Sequence, residues 1–176
     1  IAVDAFSKTS CPSIYAVGDV TGRAQLTPVA IREGAAFAET VFNNNPTAVD
    51  HSLIPTAVFS EPELGTIGLT EPEAVATHGD VDIYVARFRP MQNTLSDKSE
   101  RMMLKLITLP DKGKVVGCHL LGPGVGEMIQ LIAIPMGMGA SKVDFDRAIA
   151  VHPSAAEELV TFKAPSYTYR GGQKVA

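Results

Sequence analysis

Between Ile54 and Leu121 the sequence is dominated by short strand-forming runs, and after Val125 by helical spacing. Thr56-Ala57-Val58-Phe59 and Gly65-Thr66-Ile67-Gly68-Leu69 read as strands around a Glu61-Pro62 turn. Residues 81–88, 102–109 and 114–121 read as three more, the last two joined into a hairpin by Asp111-Lys112-Gly113. One short helix interrupts the series. Thr70-Glu71-Pro72-Glu73 supplies an N-cap, a capping-box glutamate and an early proline, which predicts a helix to His78-Gly79. Further helices are expected over 125–138, 143–147 and 153–162. Strands in one block and helices in the next give an α+β fold with an antiparallel sheet, not a repeated βαβ array.

The residues before this block follow a different plan. Ser13-Ile14-Tyr15-Ala16-Val17 is a short strand-forming run halted by Gly18-Asp19, and a polar loop over 21–25 follows. Thr27 then reads as an N-cap with Pro28 at the first helical position, and apolar residues recur at near-helical spacing up to Asn43-Asn44-Asn45-Pro46. A strand–loop–helix of this kind belongs to an α/β layer. The boundary is therefore placed in the linker, with one unit over 1–48 and a second over 49–176.

Bulk properties narrow the function. A net charge of −4 argues against a nucleic-acid or anionic-membrane surface. No apolar run reaches the roughly 20 residues of a membrane span. Ile1 is not an initiator methionine and the first residues lack a signal-peptide core, so the chain is expected to continue something longer. Cys11 and Cys118 make no CxxC pair and read as two reduced, buried thiols, which points to a cytoplasmic address.

Two constellations carry chemistry. Asp19 follows a strand and a glycine, where α/β folds place ligands, and its carboxylate suits a sugar or ribityl hydroxyl. The helix start at Thr27-Pro28 offers free N–H groups and a positive dipole end to an electron-rich group. An aspartate after a strand is also a common turn residue. In the second constellation, His152 precedes Pro153, with Glu157 about one turn on. A carboxylate against an imidazole fixes the ring's tautomer and favours its protonated form, which is the equipment of a general acid/base. A histidine near a helix start is as often a local cap or a solvated side chain. His51, His78 and His119 have no metal-ligand spacing, so no metal site is expected. Gly122-Pro123-Gly124-Val125-Gly126 lacks the lysine of a phosphate loop and reads as a turn feeding a helix. Met128, Met136 and Met138 read as core or subunit contact, and Arg87, Arg89 and Arg101 as solvated strand positions.

Taken in order, these segments resemble the pyridine nucleotide–disulfide oxidoreductases. Tyr15-Ala16-Val17-Gly18-Asp19 with Leu26-Thr27-Pro28-Val29-Ala30 is similar to the family's second FAD motif. Ile54-Pro55-Thr56-Ala57-Val58-Phe59, Gly65-Thr66-Ile67-Gly68-Leu69 and Gly117-Cys118-His119-Leu120-Leu121-Gly122 are similar to its dimerisation domain. His152-Pro153 with Glu157-Glu158-Leu159-Val160-Thr161 resembles the glutathione-reductase branch in particular.

The resemblance implies that 1–48 ends a FAD-binding domain and that 49–176 is a dimerisation domain. It implies that Asp19 binds the flavin's ribityl chain, that Gln25, Leu26 and Thr27 face the flavin ring, and that Ala57 lies near the nicotinamide of NADPH. His152, oriented by Glu157 and joined to Pro153 by a cis bond, would cross the interface of a homodimer to protonate a leaving thiolate. Met91, Glu158 and Thr161 would line the site for glutathione disulfide or a similar small disulfide. Two departures accompany these expectations. Ala35 stands where many members of the branch carry an arginine for the substrate, as in trypanothione reductases, and Ser154 stands where threonine is usual. The 176 residues hold neither a Gly-x-Gly-x-x-Gly fingerprint nor a redox-active cysteine pair. Alone the chain is therefore expected not to turn over, acting with an N-terminal portion of the same protein or else as a non-catalytic dimerisation fragment.

Overall fold

The computed structural model describes residues 1–175 and divides into two compact units, Ile1–Ser52 and the part from Leu53 onward. In the first unit a 3-10 turn, Gly18–Thr21, leads through a loop to helix α1, Thr27–Phe42. Thr27 is the first helical residue and not the N-cap. Leu26 takes the cap position without a side-chain bond, and Pro28 sits within the first turn, where a missing N–H costs nothing. The expected strand over 13–17 is reduced to a single bridge, Lys8↔Tyr15. Ser13 and Ile14 lie exposed, and a strand needs a partner along its length that the described residues do not supply.

The second unit is built on a seven-stranded sheet, antiparallel throughout. Its strands are β1 (Thr56–Val58), β2 (Leu64–Gly68), β3 (Val81–Phe88), β4 (Met102–Thr108), β5 (Val115–Leu121), β6 (Tyr167–Arg170) and β7 (Gln173–Val175), in the spatial order β1-β2-β5-β4-β3-β6-β7. With its helices the unit is α+β. Helix α2 (Glu71–His78) carries the full capping box between Thr70 and Glu73. Helix α3 (Val125–Gly137) and the short α4 (Lys142–Arg147) follow the strands, α4 held by a second capping box between Ser141 and Asp144.

Alternation along the strands divides the core. Met102, Leu104, Leu106, Cys118 and Leu120 point to the side packed with Val125, Ile129, Met136 and Phe145 from α3 and α4. On the other side Ala74 of α2 packs with Val81, Ile83 and Ile107. Each such leucine or isoleucine contributes about 1.5–3 kcal/mol by leaving water.

Two departures from the sequence reading lie near the C-terminus. No α-helix forms over 153–162, only a 3-10 turn, Ala156–Leu159. Two β-branched residues, Val160 and Thr161, come next, and Ala164 is held out of helical geometry by Pro165, so nothing propagates the turn. The hairpin of β6 and β7, absent from the sequence reading, extends the sheet beyond β3. Its two-residue turn is Gly171-Gly172, with φ of 58° and 78°, a conformation that glycine adopts without strain. Cys118 is buried as expected but Cys11 is exposed, and both are free. Among the described residues no helix is long and apolar enough to cross a membrane.

Candidate active site

In the second unit the chain after α4 leaves regular structure and folds into a tight turn around Glu157. Ser154-Ala155-Ala156-Glu157 behaves as a capping box. Ser154 Oγ accepts the Glu157 N–H at 3.3 Å, and Glu157 Oε1 accepts the Ser154 N–H at 3.3 Å. Ser154 Oγ also donates to the Val151 carbonyl at 2.7 Å. The same Glu157 carboxylate meets His152 Nδ1 at 2.9 Å through Oε2 and at 3.2 Å through Oε1. A carboxylate only accepts, so Nδ1 carries the hydrogen and Nε2 is left without a partner among the described residues. The His152 side chain is 70% exposed, whereas that of Glu157 is 20% exposed. The hydrogen bond from His152, with the Ser154 N–H in support and burial opposing, holds the Glu157 carboxyl below the usual carboxylate range. The His152–Pro153 peptide is cis.

This turn forms one wall of a cleft of about 320 Å³. Pro153, Ser154, Ala155, Glu157 and Glu158 face Phe88, Arg89, Pro90, Met91 and Gln92 across it, with Met102 and Pro123 completing the lining. The end of β3, the start of β4 and the 153–158 turn thus meet at one end of these two paired strands. Of the residues singled out in the sequence, Met91, Glu157 and Glu158 come together here. Thr161 is exposed and outside the lining, and Ala57 is a partly exposed residue of β1. Arg89 is exposed, as read from the sequence, but lies just beyond β3 and not within it. Its Nη2 donates to the carbonyls of Asn93 at 2.5 Å and Ser96 at 2.8 Å, bracing the loop that presents Met91. The sequence signal for that role is Arg89-Pro90 directly after a strand, with the turn-forming Asn93 beyond it.

In the first unit Asp19 is exposed in the 3-10 turn, and Gln25, Leu26 and Thr27 lie at the uncapped start of α1. Gly18, with φ of 73°, lies against that helix: a Cβ added there would sit 3.0 Å from the Cβ of Ala30. A carboxylate beside an uncapped helix start, with the backbone held close by a glycine, matches the donor and acceptor set a polyhydroxylated nucleotide cofactor requires.

Residues 54–162 match the dimerisation domain of the pyridine nucleotide-disulphide oxidoreductases, and residues 1–34 match the pyridine nucleotide-disulphide oxidoreductase family. The chain belongs to this family. A glutathione reductase of Nostoc sp. is 53% identical over 165 residues, covering 93% of this chain and 36% of the relative. The chloroplastic/mitochondrial glutathione reductase of Pisum sativum is 46% identical over 173 residues, covering 98% and 31% respectively. The trypanothione reductase of Leishmania donovani is also 46% identical, over 177 residues that cover 99% of the chain and 36% of the relative. The chain spans about a third of the length of the curated relatives it matches. The HOCl-induced flavoprotein disulfide reductase RclA from Escherichia coli shares the fold, with a TM-score of 0.80 at 24% identity over 92% of this chain and 37% of that one.

Proposed function

We propose that this chain is the C-terminal part of an NADPH- and FAD-dependent disulfide reductase acting on glutathione disulfide, with 1–48 closing the FAD-binding domain and 49–176 forming the dimerisation domain. The observation that carries the reading is the His152–Glu157 pair beside a cleft that also presents Met91 and Glu158. When bound, the flavin and nicotinamide supply the electrons that a disulfide takes up on reduction. The chain's own part is proton management. Glu157 holds Nδ1–H, which keeps Nε2 available to give a proton to a thiolate as it leaves and to recover one afterwards. Met91, Glu158 and Thr161 are assigned to the disulfide substrate. Asp19 is assigned to the ribityl hydroxyls, Gln25, Leu26 and Thr27 to the flavin ring, and Ala57 to the nicotinamide.

The exposure of His152 supports a site completed across a homodimer, since an imidazole open to solvent on one copy is free to serve the other. The cytoplasm is the proposed compartment, in keeping with two free cysteines. A second reading, reduction of trypanothione disulfide, is favoured by Ala35, an exposed residue of α1 that offers no cation to a substrate carboxylate.

Joining the N-terminal two-thirds of the Nostoc reductase to this chain tests the proposal. The expected product is a yellow dimer that oxidises NADPH in the presence of glutathione disulfide. Preference for trypanothione disulfide in the same assay selects the second reading. A flavin-loaded dimer that reduces neither disulfide rejects both.

A further inference from the structure

Glu33, on the second turn of α1, is 1% exposed and takes no part in the contacts assigned above. Its Oε2 accepts the Gly18 N–H at 2.6 Å. Its Oε1 accepts from Arg23 Nη2 at 3.0 Å and from His51 Nε2 at 2.8 Å. Burial alone would raise the carboxyl's pKa, but the Gly18 N–H, His51 and Arg23 together outweigh it and hold the group below the usual carboxylate range. The donors come from three separate stretches of the first unit: the 3-10 turn, the loop before α1 and the segment after it. Arg23 extends the network to Ser7 Oγ at 3.2 Å, and the Ser7 carbonyl accepts the Ala16 N–H at 3.0 Å. A single anion therefore fastens the backbone one residue from Asp19 and the Arg23 side chain two residues from Gln25.

We propose that Glu33 is a positioning residue for the flavin. It does not touch the cofactor, but it fixes Gly18-Asp19 and the 23–27 loop against the start of α1, so that both present themselves to the ribityl chain and ring in one geometry. The inference rests on the FAD reading above. Gly18 already lies against Ala30, so the turn has little room to shift toward the helix and Glu33 supplies the restraint in the other direction. Glutamine keeps the shape of Glu33 and removes one of its two acceptor oxygens. An amide oxygen can still take the Gly18 N–H, but its NH₂ then faces Arg23 and His51, which are donors themselves.

The test uses the assembled enzyme described above and reads flavin binding, not turnover. After removal of flavin, FAD is titrated back into wild type and Glu33→Gln while flavin fluorescence is followed, with far-UV circular dichroism as a check on folding. The expected result is an FAD dissociation constant raised at least about tenfold, the worth of one charge-assisted hydrogen bond, together with altered fluorescence quenching. Unchanged quenching and an affinity within about twofold of wild type overturn the inference even if the melting temperature falls, because Glu33 would then only hold the unit together. If Glu33→Gln does not fold, Arg23→Gln and His51→Gln carry the test. Each keeps the Gly18 bond, and each is expected to weaken FAD by about threefold or more, equal affinity being the refuting result. A wild-type assembly that takes no FAD at all rejects the FAD reading and this inference with it; FAD bound equally by wild type and variants rejects this inference alone.

Discussion

Gly117 sits in the middle of β5, paired with Gly68 of β2 on one side and Ile107 of β4 on the other. A Cβ added there would lie 2.1 Å from the Leu69 carbonyl oxygen and 3.3 Å from both His119 Nε2 and Ile107 Cδ1. The oxygen cannot simply withdraw. The Leu69 N–H donates to the Val116 carbonyl at 2.8 Å, and the Leu69 oxygen is the acceptor for His119 Nε2 at 3.0 Å. A carbonyl only accepts, so Nε2 carries the hydrogen of a ring whose Nδ1 takes the Thr66 hydroxyl at 2.7 Å. Gly117→Ala therefore forces an overpacking cost of about 1–3 kcal/mol. It also leaves the His119 N–H short of its acceptor, a further cost of about 1–3 kcal/mol. The stiffer unfolded chain returns about 0.4–1 kcal/mol. The net expectation, after some relaxation, is a loss of about 2–4 kcal/mol, or on the order of 10 °C in melting temperature. Urea unfolding followed by far-UV circular dichroism measures it, with Gly137→Ala as the control. Gly137 ends α3 with nothing within 4 Å of an added Cβ, and its substitution should change stability by less than about 1 kcal/mol. If the two variants unfold at the same urea concentration, the steric argument is wrong.

Further outcomes are expected from the site and the titrating groups. In the assembled enzyme His152→Gln should lower kcat for disulfide reduction by about 10²–10⁴-fold, and Glu157→Gln by less, since the imidazole remains but loses its orientation; steady-state assays that rank them the other way contradict the assignment. Cys11 should react with a thiol reagent in the native protein while Cys118, whose thiol burial pushes up to about 12, should react only after unfolding, as peptide mapping of the labelled protein would show. Burial works to raise the Glu71 pKa, but Lys105 at 2.6 Å, Tyr169 at 2.8 Å and Tyr167 at 2.9 Å outweigh it and hold the carboxyl low. Its stabilising contribution is thus complete above the usual carboxylate range and lost as pH falls through the lowered value; acid unfolding of Glu71→Gln should lose that component of the pH dependence. Burial, then the Glu71 bond, pushes Tyr167 up to about 12. That contribution should disappear as pH rises from about 10 toward that value, and tyrosinate absorbance should show phenols titrating above the ordinary tyrosine range, Tyr84 and Tyr169 being raised as well.

Local rules made much of the second unit legible. The alternation over Val81–Phe88 and the capping box at Thr70 predict β3 and α2 with the bounds observed, because both signals are complete within a few residues. The misreadings share a cause. A strand over 13–17 depends on a partner that its own residues cannot announce. The turn at Ala156–Leu159 looks helical by composition, yet only Leu159 of its four residues is buried, which is too little to hold an amphipathic helix in place. The last hairpin was legible in principle from Gly171-Gly172 between Tyr167-Thr168-Tyr169 and Lys174-Val175. The spacing of His152 and Glu157 suggests their contact, but the device that fixes it is the Ser-x-x-Glu box beginning at Ser154. The cleft could not be read along the chain, since its lining is drawn from stretches near 88–92, 102, 123 and 153–158.

The two proposed sites solve one problem in the same way. In each, a carboxylate steadies a short turn beside a proposed functional group: Glu157 holds the His152 ring, and Glu33 holds Gly18 next to Asp19. Glu157 divides its two oxygens between the turn that carries it and the imidazole it orients. Glu33 divides its own between the turn beside Asp19 and the Arg23 and His51 side chains that donate to it. A carboxylate can do this because it only accepts, and each oxygen has room for more than one donor. The difference lies in burial. The Glu157 side chain is 20% exposed, whereas that of Glu33 is 1% exposed and closed in by its three donors. That division fits the chemistry proposed for each place: a cofactor bound through the whole cycle needs a fixed cradle, whereas a proton donor must turn to meet a thiolate that comes and goes.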